Sequence, residues 1–377
     1  MDGARFVKRL QMKNILSFGK EGVDIALGPL NVLIGPNGSG KSNLIEVLSL
    51  LQASPSDIGV PFRQGGGSGE WLWKGDNTGT LADIAVIVDY PPEESDLRYM
   101  LSFSAPEQRY LIENENIQRL FWIDDQQAST TIISGRERRN VKSDRSILAH
   151  PAASGQFSEV AYLVEQFTNL RFYRQLSVGH GSAIRQPQQT DLPNDYLLED
   201  GSNFALIINS LEFAGMKQRF VELLQRFYQP VTNFITRVQN GTVQFFLYEE
   251  GLKRPIASSR LSDGTLKYLC LLTILLHPSP PPLICIEEPE TGLHPDILPT
   301  IADLLVEASQ RTQLIVTTHS DRLISALGDH PEAIVVCERD ENGTRMERLE
   351  PERMKEWLEK YSLGMLWSMG EIGGNRW

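Results

Sequence analysis

The sequence predicts an α/β protein: a sheet with flanking helices, assembled from the two ends of the chain and interrupted by a mixed α and β middle. Three observations predict it. An apolar strand, a Gly-rich loop and an amphipathic helix follow one another from Leu30 to Ser54. After Leu261 helical and strand-like apolar patterns alternate, which implies a parallel sheet with helices on its faces. Between them, residues 56–240 change apolar period several times and are too long for a connection.

Taken in order, Phe6 to Met12, Val23 to Leu27 and Leu30 to Ile34 read as short strands separated by Gly and polar turns. From Lys41, residues Leu44, Ile45, Val47, Leu48 and Leu51 recur with helical spacing until Ser54-Pro55 stops them. Arg63 to Gly69 is loop-like. Leu81 to Tyr90, Leu97 to Ser104 and Gln108 to Glu113 look like strands of a meander. Phe157 to Phe167 and Phe204 to Tyr228 are helical in spacing, and Thr242 to Tyr248 alternates as a strand. The last third gives helix Thr265 to Leu276, strand Leu283 to Ile286, helix Pro295 to Ser309, strand Leu314 to Thr317, helix Arg322 to Leu327 and strand Ala333 to Cys337. The tail from Leu363 to Trp377 mixes Gly with large apolar residues and shows no helical period.

The 377 residues allow two to three compact units, or one large domain with an insertion. With 41% hydrophobic and 22% charged residues, the chain is an ordinary globular protein, neither disordered, collagen-like nor a coiled-coil rod. Its longest apolar stretches, Tyr268 to Leu276 and Leu283 to Ile286, fall well short of the roughly 20 residues of a membrane helix. Met1 to Leu10 alternates charged and apolar residues and lacks the apolar block of a signal peptide, so the expected location is the cytoplasm, with no membrane partner. Cys270, Cys285 and Cys337 each sit in an apolar run, outside any CxxC pair, and read as buried thiols. A net charge of −12 argues against coating nucleic acid nonspecifically; contact with it must be local or come through a partner.

Four short motifs carry chemistry. Gly35-Pro36-Asn37-Gly38-Ser39-Gly40-Lys41-Ser42 fits GxxxxGK[ST] between a strand and a helix. Its glycines let consecutive backbone N–H groups point at phosphate oxygens, and the helix N-terminus adds positive potential. Lys41 supplies a point charge to the β and γ phosphates, and Ser42 a hydroxyl to Mg²⁺. Leu283 to Ile286 ends in Glu287 and Glu288, adjacent side chains that point in different directions. Glu287 is placed to hold Mg²⁺ and Glu288 to orient and polarise an attacking water. Leu261-Ser262-Asp263-Gly264-Thr265, 25 residues ahead of the acidic strand end, opens an apolar helix whose first amides could bind an anion. Thr317-Thr318-His319-Ser320 ends another strand, where an imidazole can reach a γ-phosphate.

In this order, GPNGSGKS, LSDGT, ICIEEPETGLHP and TTHS resemble the non-transporter branch of the ABC-type ATPases: the RecF-like, structural-maintenance-of-chromosomes (SMC) and overcoming-lysogenization-defect (OLD) families. The group with EEPE-x-GLHP and THS, bacterial AAA-family ATPases, is the nearest in pattern. The specific motifs cover residues 1–55 and 240–340. The resemblance implies an ABC-type P-loop ATPase head with an inserted α+β region. It further implies that Gly35 to Ser42, with Asn43 beside it, is Walker A, that Ser262, Asp263 and Gly264 are the signature, and that Glu287 and Glu288 are the Walker B acid and catalytic glutamate. Glu290 to His294 matches the D-loop region and His319 the switch histidine. The signature departs from LSGGQ, and the Walker B acid is Glu where Asp is more usual. Gln64 is a weak match for the family's Q-loop glutamine.

The boundaries implied are 1–55 for the N-terminal part of the ATPase domain, 56–240 for the insertion, 241–340 for its C-terminal part and 341–377 for a tail. ATP and Mg²⁺ are the implied cofactors, with hydrolysis confined to a head-to-tail homodimer, or a higher oligomer, that sandwiches ATP. The ATPase would drive a DNA-acting complex in repair or phage defence. The chain ends about 40 residues after its last core strand, so a nuclease or other effector is expected as a separate subunit. The alternative is a RecF-like, ATP-gated DNA clamp without a nuclease; a transporter domain fits less well. Arg136, Arg138, Arg139, Lys142 and Arg145 form a basic run that reads either as a solvated loop or as a contact for nucleic-acid phosphates. The tail either packs back on its own domain or docks on another subunit.

Overall fold

The structure, a computed structural model, describes residues 1–75, 81–123, 126–134 and 144–374. The chain begins with β1 (Val7–Lys13), β2 (Val23–Ala26) and β3 (Leu30–Ile34), then α1 (Lys41–Ala53) and the short α2 (Gly59–Gln64). Next come β4 (Ala82–Tyr90), β5 (Ser95–Ser104), β6 (Leu111–Ile123), β7 (Gln126–Ser134), α3 (Pro151–Gln156), α4 (Ser158–Thr168), β8 (Arg171–Tyr173) and β9 (Gln188–Gln189). They are followed by α5 (Phe204–Phe213), α6 (Lys217–Phe227), β10 (Val231–Gln239), β11 (Thr242–Glu249) and β12 (Ile256–Ala257). The last third alternates through α7 (Asp263–Leu275), β13 (Leu283–Glu287), α8 (Leu298–Ser309), β14 (Gln313–Thr317), α9 (Asp321–Ala326), β15 (Ile334–Asp340), β16 (Gly343–Arg348), α10 (Pro351–Leu358) and α11 (Leu363–Ser368).

Both ends of the chain meet in a six-stranded sheet of order β16-β15-β3-β14-β13-β8, parallel except where β16 returns antiparallel to β15. Every residue of β3 and β14 is buried, as a sheet covered on both faces requires. Alternate residues therefore serve two cores. Val32, Ile34, Ile284, Ile286, Leu314 and Val316 pack with residues of α5 to α9, whereas Leu33, Cys285, Ile315, Val335 and Cys337 pack with α1, α4 and a second sheet. The three cysteines are buried and form no disulfide.

That second sheet is antiparallel, of order β2-β1-β4-β5-β6-β7; β4 alternates buried and half-buried residues along its length, one face against the core. The buried Gln313 joins the two sheets. Its amide nitrogen donates to Val7 O and Gly28 O at 2.8 Å each, and its oxygen accepts from Val7 N at 2.7 Å, so an expensive buried amide is satisfied by backbone on both sides. The third sheet has order β10-β11-β12, with β9 alongside β11. Residues 56–240 thus contribute strands to all three sheets.

Four local expectations change. Of the strand expected at Gln108 to Glu113 only Leu111 to Glu113 forms strand, opening a longer β6 paired with a β7 the pattern did not disclose: Glu113, Asn114, Asn116 and Gln118 interrupt the apolar alternation although Ile117 and Leu120 are buried. The helical stretch Phe204 to Tyr228 breaks into α5 and α6 around Gly215. Arg63 and Gln64 close a helix, and only the remainder of the Arg63 to Gly69 segment lies outside α2. The tail contains α11, whose N-terminus is capped by Ser362 accepting from Met365 N at 3.3 Å; six residues are too few to display a period. Leu363, Leu366 and Ile372 are buried in the core, so the described tail packs back on its own chain.

Candidate active site

The phosphate-type loop leaves the end of β3 and enters α1, and its shape is set by what presses on it. Gly35 has φ +146°, and a Cβ there would lie 2.1 Å from Cys337 O of the neighbouring β15. Gly40, at φ +101°, abuts the Thr344 and Ser17 side chains. Only glycine accepts both the backbone angle and the contact. Thr344 Oγ1 lies 2.7 Å from Ser17 Oγ and 3.0 Å from Ser39 O, and Asn43 Nδ2 donates to Ser17 Oγ at 2.7 Å. The loop is thereby moulded between the β1–β2 connection and β16. Lys41 is buried, and its ammonium donates to Gly35 O at 2.7 Å and Pro36 O at 3.0 Å. Burial lowers its pKa from the ordinary lysine value. Asn37 and Gly38 face solvent, and Ser39 Oγ, buried, has no hydrogen-bond partner among the described residues.

The parallel register carries the carboxylates to this loop. Glu287 pairs with Thr317 at the end of β14, and Thr317 with Leu33 of β3. Ser42 Oγ then donates to Glu287 Oε2 at 2.8 Å. At Glu288 the chain turns into the left-handed region, φ +45°, a strained conformation for a non-glycine residue that diverts it from the line of β13. Its N–H donates to Thr317 O at 3.0 Å, its carboxylate accepts from Thr291 Oγ1 at 3.1 Å, and His319 Nε2 stands 3.8 Å from Glu288 Oε1. Burial first, then the nearby Lys41 cation, lowers the His319 pKa below the ordinary histidine value. Glu290, in the segment matching the D-loop, fixes that strand end by accepting from Thr318 Oγ1 at 2.7 Å and His319 N at 2.9 Å.

A cavity of about 650 Å³ is lined by Ser42, Glu287, Glu288, Thr291, Asp263 and Lys267, together with Arg174 and Gln175. The last two follow β8, whose Tyr173 pairs with Ile286, so the exit of β8 opens beside Glu287. Arg174 Nε stands 3.8 Å from Glu287 Oε1 and its Nη1 3.9 Å from Glu46 Oε1. A three-residue strand leaves almost no periodic signal, which hid both residues from sequence reading. Gln64 lines a different cavity, with Gln52 and Trp71, and it is Gln175 that shares one with Ser42 and Glu287.

Ser262 is the N-cap of α7, accepting from Thr265 N at 3.1 Å. It lines a separate opening of about 740 Å³ with Arg260, Thr265 and His294, so within one chain its hydroxyl does not share the cavity of Ser42. Asp263 occupies the first turn of α7, and Gly264 faces Gly292 O of the segment after β13. Of the basic run, Arg136, Arg138, Arg139 and Lys142 lie outside the described residues, as does Trp377. No helix among the described residues is long and apolar enough to cross a membrane.

Residues 30–325 match the family described as "AAA domain, putative AbiEii toxin, Type IV TA system". Over 45 residues the chain is 42% identical to an OLD nuclease of Thermus scotoductus, a stretch that makes up 12% of this chain and 8% of that protein. Its fold is similar to a crystal structure of an SMC head bound to the C-winged-helix domain of ScpA, with TM-score 0.61 and 16% identity over 92% of this chain and 99% of that one. An SMC head with an extended coiled coil, bound to the C-terminal domain of ScpA derived from Pyrococcus furiosus, gives TM-score 0.61 and 14% identity over 94% and 99%. With residues 30–325 matched to its model and the P-loop motif in place, the chain belongs to this AAA-domain family of P-loop ATPases, and its fold is similar to that of the SMC heads.

Proposed function

We propose that the chain binds ATP with Mg²⁺ on the Gly35 to Asn43 loop and hydrolyses it at an interface between two copies. The observation that carries this reading is the Ser42–Glu287 hydrogen bond: two side chains 245 residues apart, each suited to a hard divalent cation, meet at 2.8 Å beside Lys41. Among the described residues no cluster of three or more His, Cys, Asp or Glu could hold a metal by itself. One hydroxyl and one carboxylate suit Mg²⁺, which keeps several waters and takes its remaining ligands from phosphate oxygens. When bound there, Mg²⁺ would neutralise charge on the β and γ phosphates.

The protein's own steps follow from its side chains. Lys41 leaves the Gly35 and Pro36 carbonyls for phosphate oxygens, and the amides of Pro36-flanked Gly35, Gly38, Ser39 and Gly40 close round them. Glu288 accepts a proton from the attacking water as its oxygen bonds to the γ-phosphorus and the bond to the ADP oxygen breaks. His319 donates one hydrogen bond to a γ-phosphate oxygen. The amides of Ser262, Asp263 and Gly264 from a second copy complete the cage, in a two-fold, head-to-tail dimer. Within one chain Asp263 lines the Ser42 cavity whereas the Ser262 hydroxyl lines another opening, and closure by a partner would bring a Ser262 hydroxyl to the cavity.

The ATPase would drive a DNA-acting complex in phage defence or repair, with a separate effector or nuclease subunit. The short OLD nuclease match and the ScpA-bound SMC heads support that choice. Lys41→Ala should weaken ATP binding by about 100-fold or more, by fluorescent-nucleotide titration, and unchanged affinity would refute the loop assignment. Glu288→Gln should bind normally yet turn over about 10²- to 10³-fold more slowly; normal turnover would move the base elsewhere. Ser262→Arg should abolish ATP-dependent dimers in light scattering. Co-purification of a nuclease-like subunit favours the complex, whereas stimulation by gapped DNA without any such subunit favours a clamp.

A further inference from the structure

We infer that Arg185 is a positioning residue that clamps the serine-capped turn to the loop lining the nucleotide cavity of the same chain, so that each chain's occupancy is felt at the surface it offers to its partner. This rests on the sandwich reading above. Arg185 closes a single 3-10 turn, Ala183–Arg185, and is 6% exposed. A buried guanidinium needs acceptors for its donors, and four backbone or side-chain groups supply them. Nε donates to Val178 O at 2.8 Å, Nη1 to Leu261 O at 2.7 Å and Ser259 O at 3.3 Å, and Nη2 pairs with the Asp263 carboxylate.

These acceptors belong to two segments with different duties. Val178 ends the stretch whose Arg174, Gln175 and Leu176 line the cavity with Ser42, Glu287 and Glu288. Ser259, Leu261 and Asp263 bracket Ser262, the cap of α7. One planar, rigid fork spans both, which a flexible ammonium of equal charge does not reproduce. The pair also accounts for the aspartate at the second position of LSDGT. The Asp263 side chain is two-thirds exposed towards the cavity that holds Glu287 and Glu288. Left unpaired, it would add its negative charge to those of Glu46, Glu287 and Glu288 where triphosphate must enter; paired, it completes the clamp.

Hydrogen–deuterium exchange on the full chain tests the clamp. Without nucleotide, Arg185→Lys should speed exchange of the amides at 259–264 by about tenfold, and Asp263→Gly by about two- to threefold, while amides in the interior of α7 keep their rates. Adding a non-hydrolysable ATP analogue, at protein concentrations below self-association, should slow the turn's exchange in the wild type and leave it fast in Arg185→Lys. Equal turn exchange in wild type and Arg185→Lys, or a surviving nucleotide response in that variant, would overturn the proposal. Should Arg185→Lys fail to fold, the Asp263→Gly variant still decides. In light scattering Arg185→Lys should self-associate about tenfold more weakly with ATP, and its fluorescent-ATP affinity should stay within about threefold of wild type. A wild type that never self-associates with ATP counts against the sandwich, and the nucleotide-free exchange then judges the clamp by itself.

Discussion

The phosphate-type loop and the serine-capped turn are both Gly-bearing entries into a helix, yet they are held by different means. The loop is set by its own tight backbone: Gly35 lies against Cys337 O, and Gly40 is wedged between Ser17 of the β1–β2 connection and Thr344 of β16. The turn is set by side chains: Ser262 caps its own helix and Arg185 holds it from outside. A mould for a ligand of the same chain gains from stiffness, because donors already in place need no reorganisation. A surface that must meet a second chain gains from a tether that can shift.

Substituting alanine for the two glycines should break this symmetry most strongly. Gly35→Ala puts a methyl on a backbone oxygen at a left-handed φ, so a loss of about 3 kcal/mol or more is expected in urea unfolding. Gly264 is helical, and its added Cβ would sit 3.1 Å from Gly292 O, needing a shift of a few tenths of an ångström. The gain in helix propensity, about 1 kcal/mol, offsets that strain, and Gly264→Ala should change stability by less than about 1 kcal/mol. Comparable losses at both sites would mean that the two corners are equally stiff.

A smaller effect sharpens the same contrast. Thr344→Val keeps the volume and removes the hydroxyl that faces Ser17 Oγ and Ser39 O. Leaving those groups short of a partner should cost about 1–2 kcal/mol in thermal denaturation and weaken nucleotide binding several-fold. If binding is untouched, β16 braces the fold without shaping the loop.

These distant braces mark the limit of what sequence discloses. Walker-type loop, acidic strand end, capped turn and strand-end histidine are each local: a few consecutive residues specify a turn or a strand exit, and the alternation after Leu261 orders the strands that bring three of them together. Ser17 and Thr344 are 327 positions apart, and a lone serine or threonine says nothing of its partner until the sheets are laid side by side. Arg174 and Gln175 escape notice because β8 is too short to show a period. Arg185 escapes for another reason: a buried arginine among polar residues has the composition of an ordinary loop. The polar faces of β6 and β7 similarly conceal a sheet whose apolar side is regular only in three dimensions.

The smallest predicted effect is a pH dependence from two histidines, His319 beside the phosphate-type loop and His277 just after α7. The His319 and His277 pKa values both lie below the ordinary 6.5, burial being the larger cause in each. Between the lowered folded value and about 6.5 the unfolded chain binds more protons. Their contribution to stability is therefore complete above about pH 6.5 and is lost as the pH falls through the folded pKa values. Melting temperature should drop by a few degrees from pH 7 to 5.5 on this account, and His277→Leu, which removes an imidazole packed 5.6 Å from the Tyr196 ring, should flatten part of that slope. The remainder separates His319 from the fold as a whole. A triphosphate beside this imidazole favours its charged form, so ATP affinity should rise severalfold between pH 7.5 and 6 in the His277→Leu background. His319→Gln should remove that rise. An affinity that stays level in both proteins would place the imidazole beyond reach of the phosphates.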